Sequence, residues 1–199
     1  MKLNSLYIKN YKLLKDFNID FNKDVSILIG INGSGKSSIL EAITQIFSDA
    51  VLNQRSKFGF KIRYELRLEE ILEKTATTSK FKTDYIRVEI SSVQKGADLS
   101  YKVFVADEVI ETREQIEKMF NKFAKILPSN IVIYYSGQSE FMRNLSEPHI
   151  QQFATSYQKG ITDILQFFFY YEPALFGILL LSLLSFEYGV TPDFLNKKA

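Results

Sequence analysis

Cysteine and tryptophan are absent from the 199 residues, and histidine occurs once, at His149. Without a thiol there is no disulfide framework, no thiolate metal site and no cysteine nucleophile. A single histidine excludes a metal centre built from several imidazoles. Proline occurs four times and glycine nine, far below what a collagen-like or low-complexity chain needs. No charge of one sign dominates. Lys plus Arg is 25 against 23 for Asp plus Glu, a net charge of +2, so any basic patch has to be local. The first residues, MKLNSLYIKNYK, are charged from the start. They have neither the apolar stretch nor the small-residue cleavage site of a secretory signal, which points to a cytoplasmic protein.

The longest apolar stretch, Phe167 to Phe186, carries one charge, Glu172, and is interrupted by Glu172-Pro173. The uncharged part, Ala174 to Phe186, falls short of the roughly 20 residues that span a bilayer. It reads as a buried helix, with no membrane partner. What remains is an ordinary globular composition, 46% hydrophobic and 24% charged, with enough chain for one domain or a large piece of one.

Periodicity places the elements. Leu3 to Ile8 and Phe17 to Phe21 read as two strands of an opening hairpin. Val25 to Ile29, VSILI, is a continuous apolar run of the kind found in buried central strands. Ser37 to Val51 repeats apolar residues with a helical period. Phe58 to Leu68 alternates apolar and charged side chains, and Tyr85 to Val93 and Tyr101 to Val105 are further strands. Together they predict an antiparallel insert over about 55–110. Thr112 to Gln115 has capping-box spacing, and a helical stripe from Ile116 to Leu127 is stopped by Pro128. Asn130 to Tyr135 reads as another buried strand, and the chain from Ser146 onward reads as helical, with breaks at Gly160, Pro173 and Gly189.

Residues 30 to 37 read Gly-Ile-Asn-Gly-Ser-Gly-Lys-Ser. This is the complete G-x-x-x-x-G-K-[ST] phosphate-binding loop, between an apolar run and an amphipathic helix. Gly30, Gly33 and Gly35 permit backbone angles that turn successive N–H groups, including that of Ser34, toward an anion. The helix N-terminus adds free N–H groups and partial positive charge. Lys36 has the reach for β- and γ-phosphates, and the Ser37 hydroxyl can ligate Mg²⁺. ATP and Mg²⁺ are therefore the expected cofactors.

The string NGSGKSSILEAI, with the opening LYIKNYKLLKDFNIDF, resembles the SMC-like ATPases of the ABC class, including the RecF-like repair proteins, the OLD family and related anti-phage ATPases. The resemblance covers residues 1 to 50. It implies a mixed α/β P-loop head, with a core of mainly parallel strands beside an antiparallel β subdomain, followed by a helical segment. The expected division is 1–145 for the N-terminal lobe and 146–199 for the start of an insertion or arm. The resemblance further implies that Asn32 lies close to the γ-phosphate, Ser38 near the α-phosphate and Lys12 near the nucleotide. It also implies a second head, completing each site by dimerisation, and DNA as the partner, in phage defence or repair. A nucleotide-gated dimerisation module that recruits a nuclease without efficient turnover is the alternative.

Such heads also carry a Q-loop glutamine, a signature motif and a strand ending in Asp-Glu. Gln138, after the strand NIVIYY, reads as the Q-loop glutamine on Mg²⁺ and the attacking water, as part of a degenerate signature, Ser136-Gly137-Gln138, or as a plain polar loop. The first is preferred, because nothing after 139 ends in Asp-Glu. Asp107-Glu108 follows an apolar strand but reads better as a hairpin turn into Val109-Ile110. The general base is not visible, so the chain reads as the N-terminal lobe of a longer ATPase. Arg55, Lys57, Lys61 and Arg63 form one basic cluster, and Lys80, Lys82 and Arg87 a looser second. Each reads either as a DNA contact or as a solvated strand face.

Overall fold

The computed structural model describes residues 1–71, 83–106, 108–134, 140–161 and 167–171, with the isolated positions 177 and 181. The opening hairpin is formed by β1 (Lys2–Tyr11) and β2 (Leu14–Asp20). Tyr11 pairs with Leu14 across a two-residue loop in which Lys12 takes a left-handed φ of 51°. After α1 (Lys36–Val51) come β3 (Phe60–Arg67), a single helical turn α2 (Leu68–Ile71), β4 (Tyr85–Ser92), β5 (Ser100–Val105) and β6 (Glu108–Ile110). The hairpin and this meander form one antiparallel sheet, in the order β2-β1-β3-β4-β5-β6.

Strict alternation gives the sheet two unlike faces. Phe60, Ile62, Tyr64 and Leu66 of β3 are buried, while Lys61, Arg63 and Arg67 face water. The register aligns the apolar set across strands: Leu6 opposite Ile62, Ile62 opposite Ile90, and Val88 opposite Val103. A slip of one residue on any strand would bury its charges, so the register is strongly specified. Ile39, Ala42, Ile46, Phe47 and Ala50 of α1 join the same core, and the Phe47 ring meets Tyr64 edge-on with centroids 5.5 Å apart. The buried Tyr64 hydroxyl donates to the Ile126 carbonyl at 2.7 Å.

Helix α3 (Arg113–Phe120) carries the predicted capping box, with Thr112 Oγ1 accepting from the Gln115 N–H and Gln115 Oε1 from the Thr112 N–H. It is shorter than its apolar stripe. Asn121 takes a left-handed φ of 68°, ends the helix, and hands the stripe to a short 3₁₀ turn at Phe123–Ile126. Pro128 is therefore not what stops it. β7 (Ile131–Tyr134) runs parallel to β8 (Phe168–Tyr171), connected through α4 (Glu140–Gln158). Parallel strands need such a crossover.

Four expectations are corrected. The parallel strands among the described residues number two, β7 and β8, rather than forming the main core; the other six form an antiparallel sheet, the arrangement that suits strands such as β3 with one apolar and one charged face. β7 is half-buried, with Val132 and Tyr134 exposed. The segment predicted to continue helically after Gly160 contains β8; the break itself is present, with Gly160 at φ 74°. Finally, Val25 to Ile29 is not a buried strand. Val25, Ile27, Ile29 and Ile31 are 77%, 80%, 91% and 83% exposed, and only Leu28 packs on the core. Among the described residues no strand runs beside this segment, so its backbone has no ladder to join. Its composition signals burial without supplying the neighbour. The predicted apolar helix Ala174 to Phe186 lies outside the described residues except at positions 177 and 181.

His149 sits inside α4. Its ring is 5% exposed, lies 2.8 Å by Nε2 from the Ser48 hydroxyl of α1, and stacks on Phe168 at 4.1 Å. It is a packing residue that ties α4 to α1. Burial lowers its pKa from 6.5 to about 4. Above pH 6.5 the imidazole is neutral in both folded and unfolded chains, and this contribution is complete. Between pH 6.5 and 4 only the unfolded chain gains the proton, so stability falls by up to about 3 kcal/mol before levelling off. Urea unfolding of wild type and His149→Gln from pH 7.5 to 4 should show wild type losing the extra stability over that window. Parallel pH profiles would contradict it.

Candidate nucleotide-binding site

The loop of residues 30–35 leads directly into α1. Gly33 and Gly35 have φ of 83° and 90°, where a side chain is strained, and Gly35 occupies the N-cap. Gly30 is not in this region. Its importance is close approach, since a Cβ there would lie 2.7 Å from Ser34 Oγ. The N-terminus of α1 is bare: no side chain caps it and its first turn holds no acidic residue. Most helices satisfy these N–H groups with Ser, Thr, Asp or Asn. Here the donors and the positive end of the helix dipole are left for an anion.

Lys36 folds back over the loop. Its Nζ donates to the Gly30 carbonyl at 2.5 Å, the Ile31 carbonyl at 2.7 Å and Ser34 Oγ at 3.3 Å. The ammonium is thereby held against the glycine loop rather than extended into solvent. Ser37 and Asn32 are exposed, whereas Ser38 is buried. The opening hairpin fixes the loop from the other side, with the buried Leu14 reaching within 3.2 Å of where a Cβ on Gly35 would stand. Lys12, at the hairpin tip, pairs with Glu41 of α1 and lies 4.7 Å from the ring centroid of Phe141 in α4. The Tyr11 hydroxyl has no hydrogen-bond partner among the described residues, and burial plus the Glu41 carboxylate push its pKa up to about 12.

The structure thus brings together Gly30, Asn32, Gly33, Ser34, Gly35, Lys36 and Ser37, with Lys12 held nearby by Glu41. The Q-loop candidate, Gln138, lies outside the described residues, as do Ser136, Gly137 and Ser139. Asp107 also lies outside them, but Glu108 pairs with Val105 at the start of β6, and Ala106 takes a left-handed φ of 50°. Val105 and Glu108 are thus antiparallel partners, and Glu108 belongs to the strand that turns back along β5. Sequence reasoning missed Leu14, Glu41 and Phe141. Glu41 is 29 residues from Lys12, and no local spacing links the two. Among the described residues, no group of three or more His, Asp or Glu side chains is gathered to hold a metal ion. No helix among them is long and apolar enough to cross a membrane.

A family model described as an AAA ATPase domain matches residues 1–172. The chain belongs to this family. Relatives of the AAA ATPase domain match shorter stretches of the chain. The DNA double-strand break repair Rad50 ATPase of Methanosarcina mazei is 42% identical over 55 residues, covering 27% of this chain and 5% of that protein. The DNA replication and repair protein RecF of Staphylococcus carnosus is 46% identical over 43 residues, 22% of this chain and 12% of the relative. RecF of Staphylococcus epidermidis is 36% identical over 67 residues, 32% of this chain and 18% of the relative. The chain thus matches between 5% and 18% of the length of these relatives. The similarity to Rad50 and RecF bears out the resemblance to SMC-like ATPases of the ABC class.

The two left-handed glycines differ in one testable respect. A Cβ at Gly33 would meet nothing within 4 Å, whereas one at Gly35 would also press on Leu14. Gly33→Ala should lose about 1 kcal/mol from backbone strain alone, and Gly35→Ala clearly more. Urea unfolding of the two variants checks this. Equal losses would show that the hairpin does not brace the loop.

Proposed function

We propose that the chain is the phosphate-gripping lobe of an ATPase that acts on DNA. The bare N-terminus of α1, framed by two left-handed glycines and Lys36, carries the reading. In it, the amides of residues 33–38 and the Lys36 ammonium receive the β- and γ-phosphates of ATP. The Ser37 hydroxyl meets Mg²⁺, Asn32 lies by the γ-phosphate, Ser38 by the α-phosphate, and Lys12 leaves Glu41 for the nucleotide. Gln138 is assigned to the metal and the attacking water. Mg²⁺–ATP, when bound, supplies the phosphoryl group and the divalent charge. The residues of this lobe hold and orient it, which is most of what phosphoryl transfer asks of a protein.

The remaining catalytic groups are assigned to a second half and a second head. The exposed residues Val25, Ile27, Ile29 and Ile31 support this. Beside them a groove of about 580 Å³, lined by Ile27, Leu28, Leu40 and Ile43, opens next to Lys36 and Ser37. Exposed apolar surface of this kind marks a docking site, and at this place it would bring catalytic carboxylates to the loop. Repair is the biological role favoured by the relatives' names, and a cytoplasmic location rests on the charged opening residues. Phage defence rests on the resemblance of residues 1–50.

The test is ATP binding and turnover by the chain, with and without duplex DNA, beside Lys36→Ala. Binding with little turnover, weakened at least roughly tenfold in the variant, is the expected result, since about 1.4 kcal/mol of lost phosphate contact suffices. Undiminished binding by Lys36→Ala would refute the assignment.

A further inference from the structure

The face of the six-stranded sheet turned away from α1 takes no part in the nucleotide site. Its register gathers residues that the sequence keeps apart. Arg63 of β3 stands opposite Glu89 of β4, which stands opposite Lys102 of β5. In the next row, Lys2 of β1, Glu65 of β3 and Arg87 of β4 are neighbours. Lys61 and Arg67 flank these rows along β3. Lys61 and Arg63 of the first basic cluster and Arg87 of the second thus share one surface, while Lys80 and Lys82 lie outside the described residues.

Around Glu89 the cations and the carboxylate do not stand at the same height. The Glu89 side chain is only 7% exposed, beneath Arg63 at 55% and Lys61 at 46%. It accepts from Arg63 Nε at 2.7 Å and lies 3.9 Å from Lys61 Nζ. Glu65 is half-buried and accepts from Asn4 Nδ2 at 3.1 Å. Lys102 is held by Glu111 at 2.6 Å, and Arg67 by Glu69 at 3.5 Å. Arg87 makes no ion pair among the described residues, and its guanidinium lies 5.7 Å from the Phe104 ring centroid. Two hollows open between the cations. One, of about 340 Å³, lies between Arg63 and Arg87, and the other, of about 570 Å³, is bordered by Lys2, Arg67, Asp24 and Tyr85. Glu69 and Glu111 are themselves 70% and 57% exposed, so Arg67 and Lys102 are offset by carboxylates at the surface. Over Glu89 and beside Arg87, an approaching polyanion meets cations first, with Lys61 and Arg63 already oriented by the carboxylate below them.

We infer that this outer sheet face is a docking surface for the phosphate backbone of duplex DNA. The inference rests on the DNA-directed reading above and adds the surface. Alternate residues along a strand stand about 6.6 Å apart and neighbouring strands about 4.8 Å, so Lys61 to Arg67 spans about 20 Å, over half a turn of duplex. Contacts of this kind are sequence-independent and salt-dependent. The face lies across the sheet from α1, so its occupancy leaves the nucleotide loop accessible.

The test is fluorescence-anisotropy titration of a labelled duplex at several salt concentrations, with nucleotide binding measured in parallel. The proteins are wild type, the double variant Lys61→Glu/Arg87→Glu and, with opposite sign, Glu89→Gln. The double variant should bind DNA at least roughly tenfold more weakly, and its salt slope should fall by about 2, one for each lost phosphate contact. Glu89→Gln should bind more tightly, and ATP binding should be unchanged in both. No duplex binding by wild type would overturn the DNA-directed reading itself. Wild-type binding that both variants retain unaltered would overturn the assignment of this face alone. Preference for an acidic peptide or an RNA hairpin over duplex, lost in the double variant, would overturn the choice of partner.

Discussion

Phe47 of α1 lies edge-on to Tyr64 of β3, and Tyr64 in turn anchors its hydroxyl on the Ile126 carbonyl. This contact lies at the centre of the only apolar layer that joins the helix to the sheet among the described residues. Everything at the candidate site follows from it. The helix axis fixes where its first-turn N–H groups point, and the sheet fixes the hairpin whose Leu14 braces Gly35. The loop between them carries little internal structure of its own. It owes its shape to two left-handed glycines and to Lys36 drawn onto two carbonyls. Burial of an apolar face, worth roughly 25 cal/mol per Å², positions a polar site that has few stabilising contacts of its own.

The same layer divides the labour of the molecule. Its inner side is apolar and closed by α1, α3 and α4. Its outer side is charged, with Glu89 sunk beneath Lys61 and Arg63. One alternating pattern writes both, because a strand sends successive residues to opposite faces. Strand β3 serves as core, as charged surface and, through its pairing with β1, as support for the hairpin at the nucleotide loop. α4 adds a second connection through the Ser48–His149 contact, which ties the parallel pair β7–β8 to the helix behind the loop.

Much of this was legible in the residues. Alternation in β3, β4 and β5, the helical period of α1 and the capping box before α3 are local signals, and each forms as its spacing predicts. The glycine loop is legible for the same reason, since G-x-x-x-x-G-K-S encodes its own geometry. What failed depended on distant neighbours. VSILI has the composition of a buried strand, but a ladder needs a second strand, and none of the described residues provides one. The stripe through Leu127 continues across the break at Asn121 because 3₁₀ and α geometry bury much the same positions. The pairing of Lys12 with Glu41 and the seat of Leu14 on Gly35 come from tertiary folding, and no spacing rule reaches that far. His149 shows the limit in the other direction: a lone histidine has no sequence signal, and its partner Ser48 is 101 residues away.

The central claim is that the backbone amides at the start of α1 form an anion seat ready for phosphate. Amide hydrogen exchange with and without Mg²⁺–ATP addresses those amides directly. The account predicts slowed exchange at residues 33–38, with β3 and β4 unchanged. Exchange at 33–38 that saturating nucleotide leaves unaltered, or protection spread evenly over the sheet, would contradict it.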